Sequence, residues 1–362
     1  MKCYPIHFGR GMEEKSIRKS STGIWLDWQG LQDRANIKFV DLESEADAIM
    51  VFQSTPFGNS EAGIRHPETC DAGRLKGAQK TVAMLKLLAN SKLPILYFFC
   101  DLDHPFKNIA FKKLYKFKNI FKSYKLKDID CNRIHVIHYC LDQDSLIEWW
   151  QKQTYNYDVP DSNFHFLNID HAYWLKDIMT SKSNVFNTIR IGNPRRGSRN
   201  EFLRQFSGIH IYGRWQKTGI NRDWTEALPN AKFFGYVPQP ESLKIINNSF
   251  GQICTPDFRQ IEVSGLYLRL PMTVAAGSLP LIDPRLKYYI DHIEKIVLKR
   301  DDSLLSQLIV ENNNQITGLK SHLGILGRRL LIEELQSMFR EYFQKNDIKK
   351  QLNRIMKSIN QR

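Results

Sequence analysis

Short β-rich runs alternate with helical segments along the first half of the chain. Residues 72–90 place apolar side chains at helical spacing between two such runs. Strands that are joined by crossover helices lie parallel in one sheet. The alternation therefore predicts an α/β fold with a parallel, doubly wound sheet. The strand-like runs are 37–40, 48–52, 93–99 and 134–137.

A second series of the same kind begins near residue 187, and no repeat or low-complexity linker interrupts the chain. We therefore predict two Rossmann-like domains that face a central cleft and are joined near 165–185. The predicted domains are 1–168 and 169–330, followed by a C-terminal helical segment, 331–362, that packs back on the first domain. The elements predicted in this second series are strands 188–191, 209–212, 232–238 and 279–283, helices 199–206 and from 241, and a helical tail from 307.

The composition narrows the class of protein. Of the 362 residues, 42% are hydrophobic and 25% are charged, as in soluble globular proteins. No apolar run of about 18 residues is present, and the first residues lack the apolar stretch of a signal peptide. The six cysteines have no CxxC spacing, which indicates small core residues in a reducing cytoplasm rather than a zinc site or a disulfide framework.

The positive charge is concentrated in one segment. The net charge is +14, and 104–127 contains eight lysines, interleaved with aromatic residues, and no acid. Such a segment favours contact with nucleic acid, because lysines follow phosphates and rings stack on unpaired bases. The alternative is an amphipathic helix with a solvated lysine face and aromatic residues in the core. The lysines predicted to contact DNA are Lys107, Lys112, Lys113, Lys116 and Lys118.

Two features of the second series indicate an anion site. The segment 192–199, GNPRRGSR, lies between a predicted strand and a predicted helix. Glycines let the backbone approach an anion and arginines bind phosphate oxygens in a forked geometry, so the loop predicts diphosphate binding. It is neither a Walker A loop nor GxGxxG, and the alternative is a surface turn with solvated arginines. Arg269 is charged within an apolar stretch, where a structural salt bridge is the alternative to ligand binding.

Asp101 follows a predicted buried strand. A carboxylate at the end of a strand accepts a proton from an alcohol nucleophile when the two oxygens are within hydrogen-bonding distance. The alternative for Asp101 is a helix cap or a turn. The neighbouring His104 has no His or Asp partner at metal-ligand spacing, and we assign it to the acceptor side or to structure.

These loops together resemble the DNA β-glucosyltransferases of T-even bacteriophages, which glucosylate hydroxymethylcytosine in duplex DNA with UDP-glucose. The resemblance is strongest over 189–283 and looser in the first half, where 97–106 resembles the strand that ends with the catalytic aspartate. The landmarks occur in the family's order and at similar spacing: the loop 191–199, Tyr212-Gly213, 234–238, Leu268-Arg269 and 281–283.

The resemblance implies a GT-B fold and an inverting enzyme that transfers a sugar from a UDP-sugar to a hydroxymethylated pyrimidine, hydroxymethylcytosine first, in phage double-stranded DNA. Asp101 matches the general base, and Phe57-Gly58 fall near a DNA-facing loop where the target base is flipped out. We further expect no membrane contact, a monomer in the infected host cell, and no obligatory metal, with Mg or Mn stimulatory. The donor-binding residues implied are Gly192, Asn193, Arg195, Arg199, Tyr212, Gly213, Val237 and Arg269.

Two positions depart from the family pattern. Met272 stands where a glutamate holds the ribose, and Thr22 stands where a glutamate is associated with the sugar pocket; Glu241 or Glu262 is a substitute on the ribose. The donor is therefore open to a different sugar or nucleotide. Two other functions stay open: a glycosyltransferase of this fold with a small-molecule or glycan acceptor, and a lapsed enzyme that binds DNA.

Overall fold

The chain forms two compact units in a computed structural model: Met1–Ile169 together with Ile348–Arg362, and Asp170–Asp347. The longer segment of the first unit ends at Ile169, close to the predicted boundary at 168. The structure describes residues 1–7, 37–52, 87–99, 130–139, 143–152, 160–167, 178–183, 185–192, 198–216, 223–237, 239–256, 261, 269–297, 304–345 and 348–360.

The first unit contains a parallel six-stranded sheet in the order β2-β1-β3-β4-β5-β6. The chain runs outward from β1 to β2 and then continues on the other side of β1 with β3. The direction of winding therefore reverses between β1 and β3, which makes this the switch point of the sheet. The strands are β1 Lys2–His7, β2 Lys38–Phe39, β3 Ala48–Phe52, β4 Ile95–Phe99, β5 Ile134–Tyr139 and β6 Phe164–Leu167.

Both faces of this sheet are apolar. On one face, alternate residues of β3, β4 and β5 form a core cluster with Leu88, which belongs to the helical residues 87–90. On the other face, Met50, Leu96 and Ile137 are equally buried. Burial on both faces is typical of parallel sheets. The residues of the cluster are Ile49, Val51, Leu88, Ile95, Tyr97, Ile134 and Val136.

Strand β1, which contains Pro5, was not predicted from the sequence. The Cys3 carbonyl accepts a hydrogen bond from Val40 on the β2 side, and successive residues of a strand alternate in direction. Pro5 therefore also faces β2, beyond the last paired residues, Cys3 and Phe39. Its missing N–H consequently costs no ladder hydrogen bond.

Two helices flank the edge strand β6. In helix α1, Gln143–Gln151, the Trp150 ring packs against His138, Phe164 and Phe166. The C-terminal helix, Ile348–Asn360, also contacts β6. The predicted boundary at 331 instead falls inside a longer helix, Asn313–Lys345, which belongs to the second unit.

The second unit contains a parallel five-stranded sheet in the order β11-β10-β7-β8-β9. The winding reverses between β7 and β10. Strand β7 has the predicted bounds, whereas β9 is shorter than the predicted 232–238. The ladder with β8 loses its register after the Phe234 N–H, because the Gly213 N–H donates to the Gly235 carbonyl instead of that of Phe234. The strands are β7 Thr188–Ile191, β8 His210–Tyr212, β9 Lys232–Phe233, β10 Gly251–Cys254 and β11 Leu279–Ile282.

Helices pack against this second sheet. The longest, α6 (Asn313–Lys345), contacts α4 (Arg269–Ala275), α5 (Lys287–Val297) and β11, and it is interrupted at Gly324, where the backbone is not helical. It begins at Asn313 rather than at the predicted 307, because residues 306–308 form a separate 3-10 turn. Among the described helices, none is long and apolar enough to cross a membrane. They are α2 Ser198–Leu203, α3 Gln239–Asn247, α4 Arg269–Ala275, α5 Lys287–Val297 and α6 Asn313–Lys345; the C-terminal helix of the first unit is α7.

A buried arginine fastens α6 to the second sheet. The Arg328 guanidinium donates to the carbonyls of Phe250, Ser249 and Lys182 and to the Ser181 hydroxyl, at 2.8–3.1 Å. Burial lowers the pKa of Arg328 to about 10. Because the carbonyls of Phe250 and Ser249 are buried, the guanidinium supplies donors that water does not.

We predict that Arg328→Met lowers the free energy of unfolding of the second unit by about 2–4 kcal/mol. The substitution removes four hydrogen bonds and leaves the buried carbonyls of Phe250 and Ser249 with only the Leu279 N–H and the Ser278 hydroxyl as donors. The adjacent Arg329 is exposed and pairs with Glu333 on the same helix. Arg329→Met should therefore cost less than about 0.5 kcal/mol. Urea titration, followed by hydrogen exchange at the amides of α6, measures both; equal losses would contradict the account.

Candidate anion-binding site

The carboxyl ends of β7 and β10 part at the switch point of the second sheet. Their register ends at Ile189 and Gln252, after which β7 continues along β8 and β10 continues along β11. Alternation along each strand points the carbonyls of Ile191 and Ile253 into the gap between β7 and β10. Both carbonyls thus lose a strand partner where open α/β sheets bind their ligands.

Arg269 satisfies one of these carbonyls. It is the first residue of α4, and its Nη1 donates to the Ile191 carbonyl. The residue after Ile191 is Gly192, which has a φ of +149°. A Cβ built on Gly192 would lie 2.7 Å from Arg269 Nη1 and 3.0 Å from Nη2. Glycine is therefore required here both for its backbone conformation and to leave room for the guanidinium.

The backbone of Gly192 is fixed by β8 and the loop after it. Its N–H donates to the Tyr212 carbonyl at 2.8 Å, and its carbonyl accepts from Trp215 Nε1 at 2.6 Å. Gly213, with φ +148°, passes so close that a Cβ there would lie 2.4 Å from the Gly192 carbonyl oxygen. The predicted residues Gly192, Tyr212, Gly213 and Arg269 are thus brought together.

Arg190 satisfies the other carbonyl of the gap, and the sequence analysis missed its role. Its side chain is 1% exposed, and Nη1 donates to the Ile253 carbonyl at 3.4 Å. The sequence contains a signal for this role, because Arg190 is a charged residue inside an apolar strand, just as Arg269 is a charged residue inside an apolar stretch. Arg190 was instead assigned only to the strand 188–191.

The electrostatic influence of Arg190 and Arg269 extends to Cys254, at the end of β10. Burial raises the pKa of this thiol to about 11, and the two guanidiniums oppose that rise. The thiol is therefore protonated at neutral pH and serves as a small core residue, as predicted for the cysteines. Cys3 is buried in the first unit in the same way.

Arg199 lies at the end of β10. It belongs to α2 and is 8% exposed, and its Nε donates to the Pro256 carbonyl at 3.4 Å. Arg199 and Arg269 thus reach the two strands on either side of the gap, one at β10 and the other at β7.

A hydrogen-bonded carboxylate holds the neighbouring strand ends. Asp283, fully buried after β11, accepts from the Thr255 hydroxyl at 2.8 Å and from Arg285 Nη2 at 2.5 Å and Nε at 2.9 Å. The Arg285 guanidinium lies 5.5 Å above the Phe202 ring of α2. This network therefore links β10 and β11 to the helix that carries Arg199.

Polar side chains also position the start of α4. Gln252 of β10 donates to the Thr273 hydroxyl at 2.8 Å, and that hydroxyl donates to the Arg269 carbonyl at 2.6 Å. All of these side chains apart from Arg269 are fully buried. The first turn of α4, and with it the guanidinium of Arg269, is consequently tied to the end of β10.

Aromatic side chains lie beside the glycines at the ends of β8 and β9. The Tyr212 and Phe234 rings stack with centroids 5.0 Å apart, and Arg214 lies 5.1 Å above the Tyr236 ring. Phe234 and Tyr236 are exposed, whereas burial raises the pKa of Tyr212. The predicted residue Val237 directly follows this group and is half-buried. Exposed rings next to an anion site provide stacking surfaces.

The two departures from the family pattern have different outcomes. Met272 packs into the core cluster of Ile189, Ile246 and Ala276 from the inner side of α4. The described contacts of Met272 are therefore with apolar side chains. Of the suggested substitutes, Glu241 is exposed in the first turn of α3, while Glu262 and Thr22 lie outside the described residues.

Several predicted site residues lie outside the part of the chain that the structure describes, and their roles stay predictions. For the aspartate, the described strand β4 ends at Phe99, two residues earlier in the sequence. The residues concerned are Asp101, Asn193, Arg195, Phe57, Gly58, Lys107, Lys112, Lys113, Lys116 and Lys118.

The arrangement as a whole is suited to binding an anion. The side chains of Arg190 and Arg199 are buried and that of Arg269 is half-buried around the switch point, while the described carboxylate there, Asp283, is paired with Arg285. A guanidinium group carries five N–H donors in one plane, and phosphate oxygens match that planar geometry.

The fold of the chain is the GT-B fold, as predicted from the sequence, and it is shared with solved glycosyltransferases. A solved structure of the DNA-modifying enzyme β-glucosyltransferase, studied with and without uridine diphosphoglucose, matches 99% of this chain and 100% of its own, with a TM-score of 0.59 and 16% identity.

The solved structures that match this chain include several of the β-glucosyltransferase of T4 phage. One such structure, concerned with substrate binding and the catalytic mechanism, has a TM-score of 0.60 and 16% identity over 100% of this chain and 99% of its own. Another, in complex with UDP-glucose, has a TM-score of 0.56 and 14% identity over 95% and 98%. At these identities the likeness establishes the fold. No protein-family model and no curated protein sequence matches the chain.

We predict that Gly192→Ala destabilises the second unit by about 2–4 kcal/mol, because the new Cβ combines a strained backbone with displacement of Arg269. Gly208 is the matched control. It also has a positive φ, +68°, but a Cβ there meets no atom within 4 Å. Gly208→Ala should therefore cost only about 1 kcal/mol. Urea unfolding of both variants measures the difference, and equal costs would show that Arg269 does not need the space.

Proposed function

We propose that this protein is an inverting glycosyltransferase that transfers a sugar from a UDP-sugar to hydroxymethylcytosine in phage double-stranded DNA. The observation that carries the proposal is the pair of Gly192 and Arg269 at the switch point of the second sheet. The fold shared with a DNA-modifying enzyme studied with uridine diphosphoglucose gives further support.

In this proposal the second unit binds the donor. Arg269 and Arg199, with Arg195, bind the diphosphate, while Gly192 and Asn193 contribute backbone N–H groups. The nucleobase meets the main chain of Val237 beside the aromatic rings of β8 and β9. As the bond between the sugar and the diphosphate breaks, negative charge grows on the leaving phosphate, and fixed guanidiniums stabilise that charge without reorganisation.

The acceptor belongs to the first unit. The hydroxymethyl oxygen attacks the anomeric carbon from the side opposite the diphosphate, and Asp101 takes its proton. One C–O bond forms while another breaks, so the sugar configuration inverts and the UDP leaves with the bonding electron pair. Because a base inside a duplex is out of reach, the target base flips out, near Phe57 and Gly58. The lysines of 107–127 bind phosphates.

A metal ion is not obligatory in this proposal, and Mg or Mn would act as a stimulatory ion. T4 phage β-glucosyltransferase has been solved in complex with UDP and Mn2+. Among the described residues, no group of three His, Cys, Asp or Glu side chains is placed to hold a metal. Because the guanidiniums stabilise the leaving diphosphate in this proposal, transfer should persist after EDTA treatment and rise when Mg or Mn is restored.

The proposal leaves the donor open to a nucleotide sugar other than UDP-glucose. Met272 packs in the core, so recognition of the ribose falls to another group. A panel of nucleotide sugars is therefore part of the test below.

The experiment that tests the function is mass spectrometry of nucleosides after incubation of hydroxymethylated DNA with that panel. We expect a sugar adduct on the base, and Asp101→Asn should slow its formation by about 10²–10⁴-fold while leaving donor binding intact. An adduct on a small molecule or glycan but on no DNA would favour a different acceptor. Failure with every donor and acceptor would favour a lapsed DNA-binding protein.

Donor binding gives a second prediction. Arg269→Gln should weaken UDP binding by about 10- to 100-fold, because a charged hydrogen bond to phosphate contributes about 1.5–3 kcal/mol. The control is Arg204→Gln, which removes an exposed arginine that donates to the Ala227 carbonyl on the same unit. Isothermal titration calorimetry measures both, and equal affinities for UDP would contradict the assignment.

A further inference from the structure

The C-terminal helix α7 has two opposite faces. Leu352, Ile355 and Ile359 are buried, while Lys350, Arg354 and Lys357 are exposed. At about 100° per residue, these two sets centre on directions roughly 180° apart around the helix axis. The apolar face serves the contact with β6, and the basic face is consequently turned to solvent.

This basic face is free of acids. Residues 348–362 contain Lys349, Lys350, Arg354, Lys357 and Arg362, and no Asp or Glu. A solvated helix face that only maintains solubility usually mixes both signs and places them in i,i+4 pairs. Helix α6 follows that rule, with Arg329 paired to Glu333. Helix α7 does not.

The other described residues of the first unit have the opposite charge balance at the surface. Among its described exposed side chains outside α7, acids are in the majority, so the positive potential of the described surface is concentrated on this helix. The exposed acids are Asp41, Glu45, Asp47, Asp130, Asp144, Glu148 and Asp161, and the exposed bases are Lys2, Lys38, Lys92 and Lys152.

We infer that the basic face of α7 is an additional duplex-binding surface that contacts the phosphate backbone of the acceptor DNA. The inference rests on the proposed function, and it assigns a DNA contact outside the lysine segment 107–127. Helix α7 belongs to the same unit as that segment and as Phe57 and Gly58, although it is far from them in sequence. It is therefore part of the unit that we propose to bind the acceptor.

The dimensions of the face fit a duplex backbone. Lys350 and Lys357 are seven residues apart, which is about 10 Å along a helix. Each strand of B-DNA carries one phosphate about every 3.4 Å along its axis, so the face spans about three phosphates. Contacts of this kind carry no sequence information; they strengthen binding and set the orientation of the duplex.

The test removes the three charges together, as Lys350→Gln, Arg354→Gln and Lys357→Gln in one protein. These side chains are exposed and the apolar face is unchanged, so α7 should still fold, which circular dichroism and urea unfolding verify. The control removes three exposed charges from the second unit, as Lys244→Gln, Lys287→Gln and Arg340→Gln. Both variants have the same net charge.

The first measurement is the binding constant for a fluorescent duplex, determined by anisotropy over a range of salt concentrations. We expect the slope of log K against log salt to fall by about 2–3 in the α7 variant, one phosphate contact for each charge, and to change little in the control. Arg354→Glu alone should weaken binding more than Arg354→Gln. Equal slopes for the α7 variant and the control would overturn the inference.

Transfer kinetics separate this inference from the proposed function. The α7 variant should have a raised KM for DNA, with unchanged kcat, unchanged KM for the donor and unchanged transfer to free hydroxymethyldeoxycytidine. If the original protein transfers sugar to DNA and the α7 variant matches the control, the inference fails alone. If the original protein modifies no DNA, the proposed function fails, and the salt dependence of duplex binding still decides whether α7 contacts DNA.

Discussion

The contact between the Arg269 guanidinium and the Ile191 carbonyl depends on a missing side chain. Gly192 is the residue that lets the guanidinium lie against the end of β7, since any Cβ would occupy its place. The contact exists because β7 and β10 separate and leave inward-pointing carbonyls. The divergence of β7 and β10 thus creates the gap, and it also exposes the carbonyls that hold positively charged guanidinium groups there.

The remaining parts of the second unit keep this charge in position. Withdrawing a guanidinium from water is costly unless acceptors surround it. Carbonyls at the strand ends accept from Arg190, Arg199 and Arg269, and the Asp283 network holds Arg285. A site assembled in this way is formed before its ligand arrives, which is the condition for efficient electrostatic stabilisation of a leaving group.

Sequence reasoning located this site because its signals are local. Strand 188–191, the glycine after it and an arginine in an apolar stretch are visible in short windows. Strands β1, β6 and β10 were missed because Pro5, His165 and Gly251 break the apolar pattern, and their suitability depends on neighbours distant in sequence. The same holds for Arg190, whose acceptor lies 63 residues away, and for Met272, whose packing no local pattern indicates.

The most direct measurement is the affinity of the protein for uridine, UMP and UDP, determined by calorimetry in parallel with Arg269→Gln. We expect that affinity rises with each added phosphate and that the substitution lowers the gain contributed by the phosphates by about 10- to 100-fold while leaving uridine binding unchanged. Equal affinity for uridine and UDP, or a gain of the same size in the variant, would contradict the claim that the end of β7 is a diphosphate site.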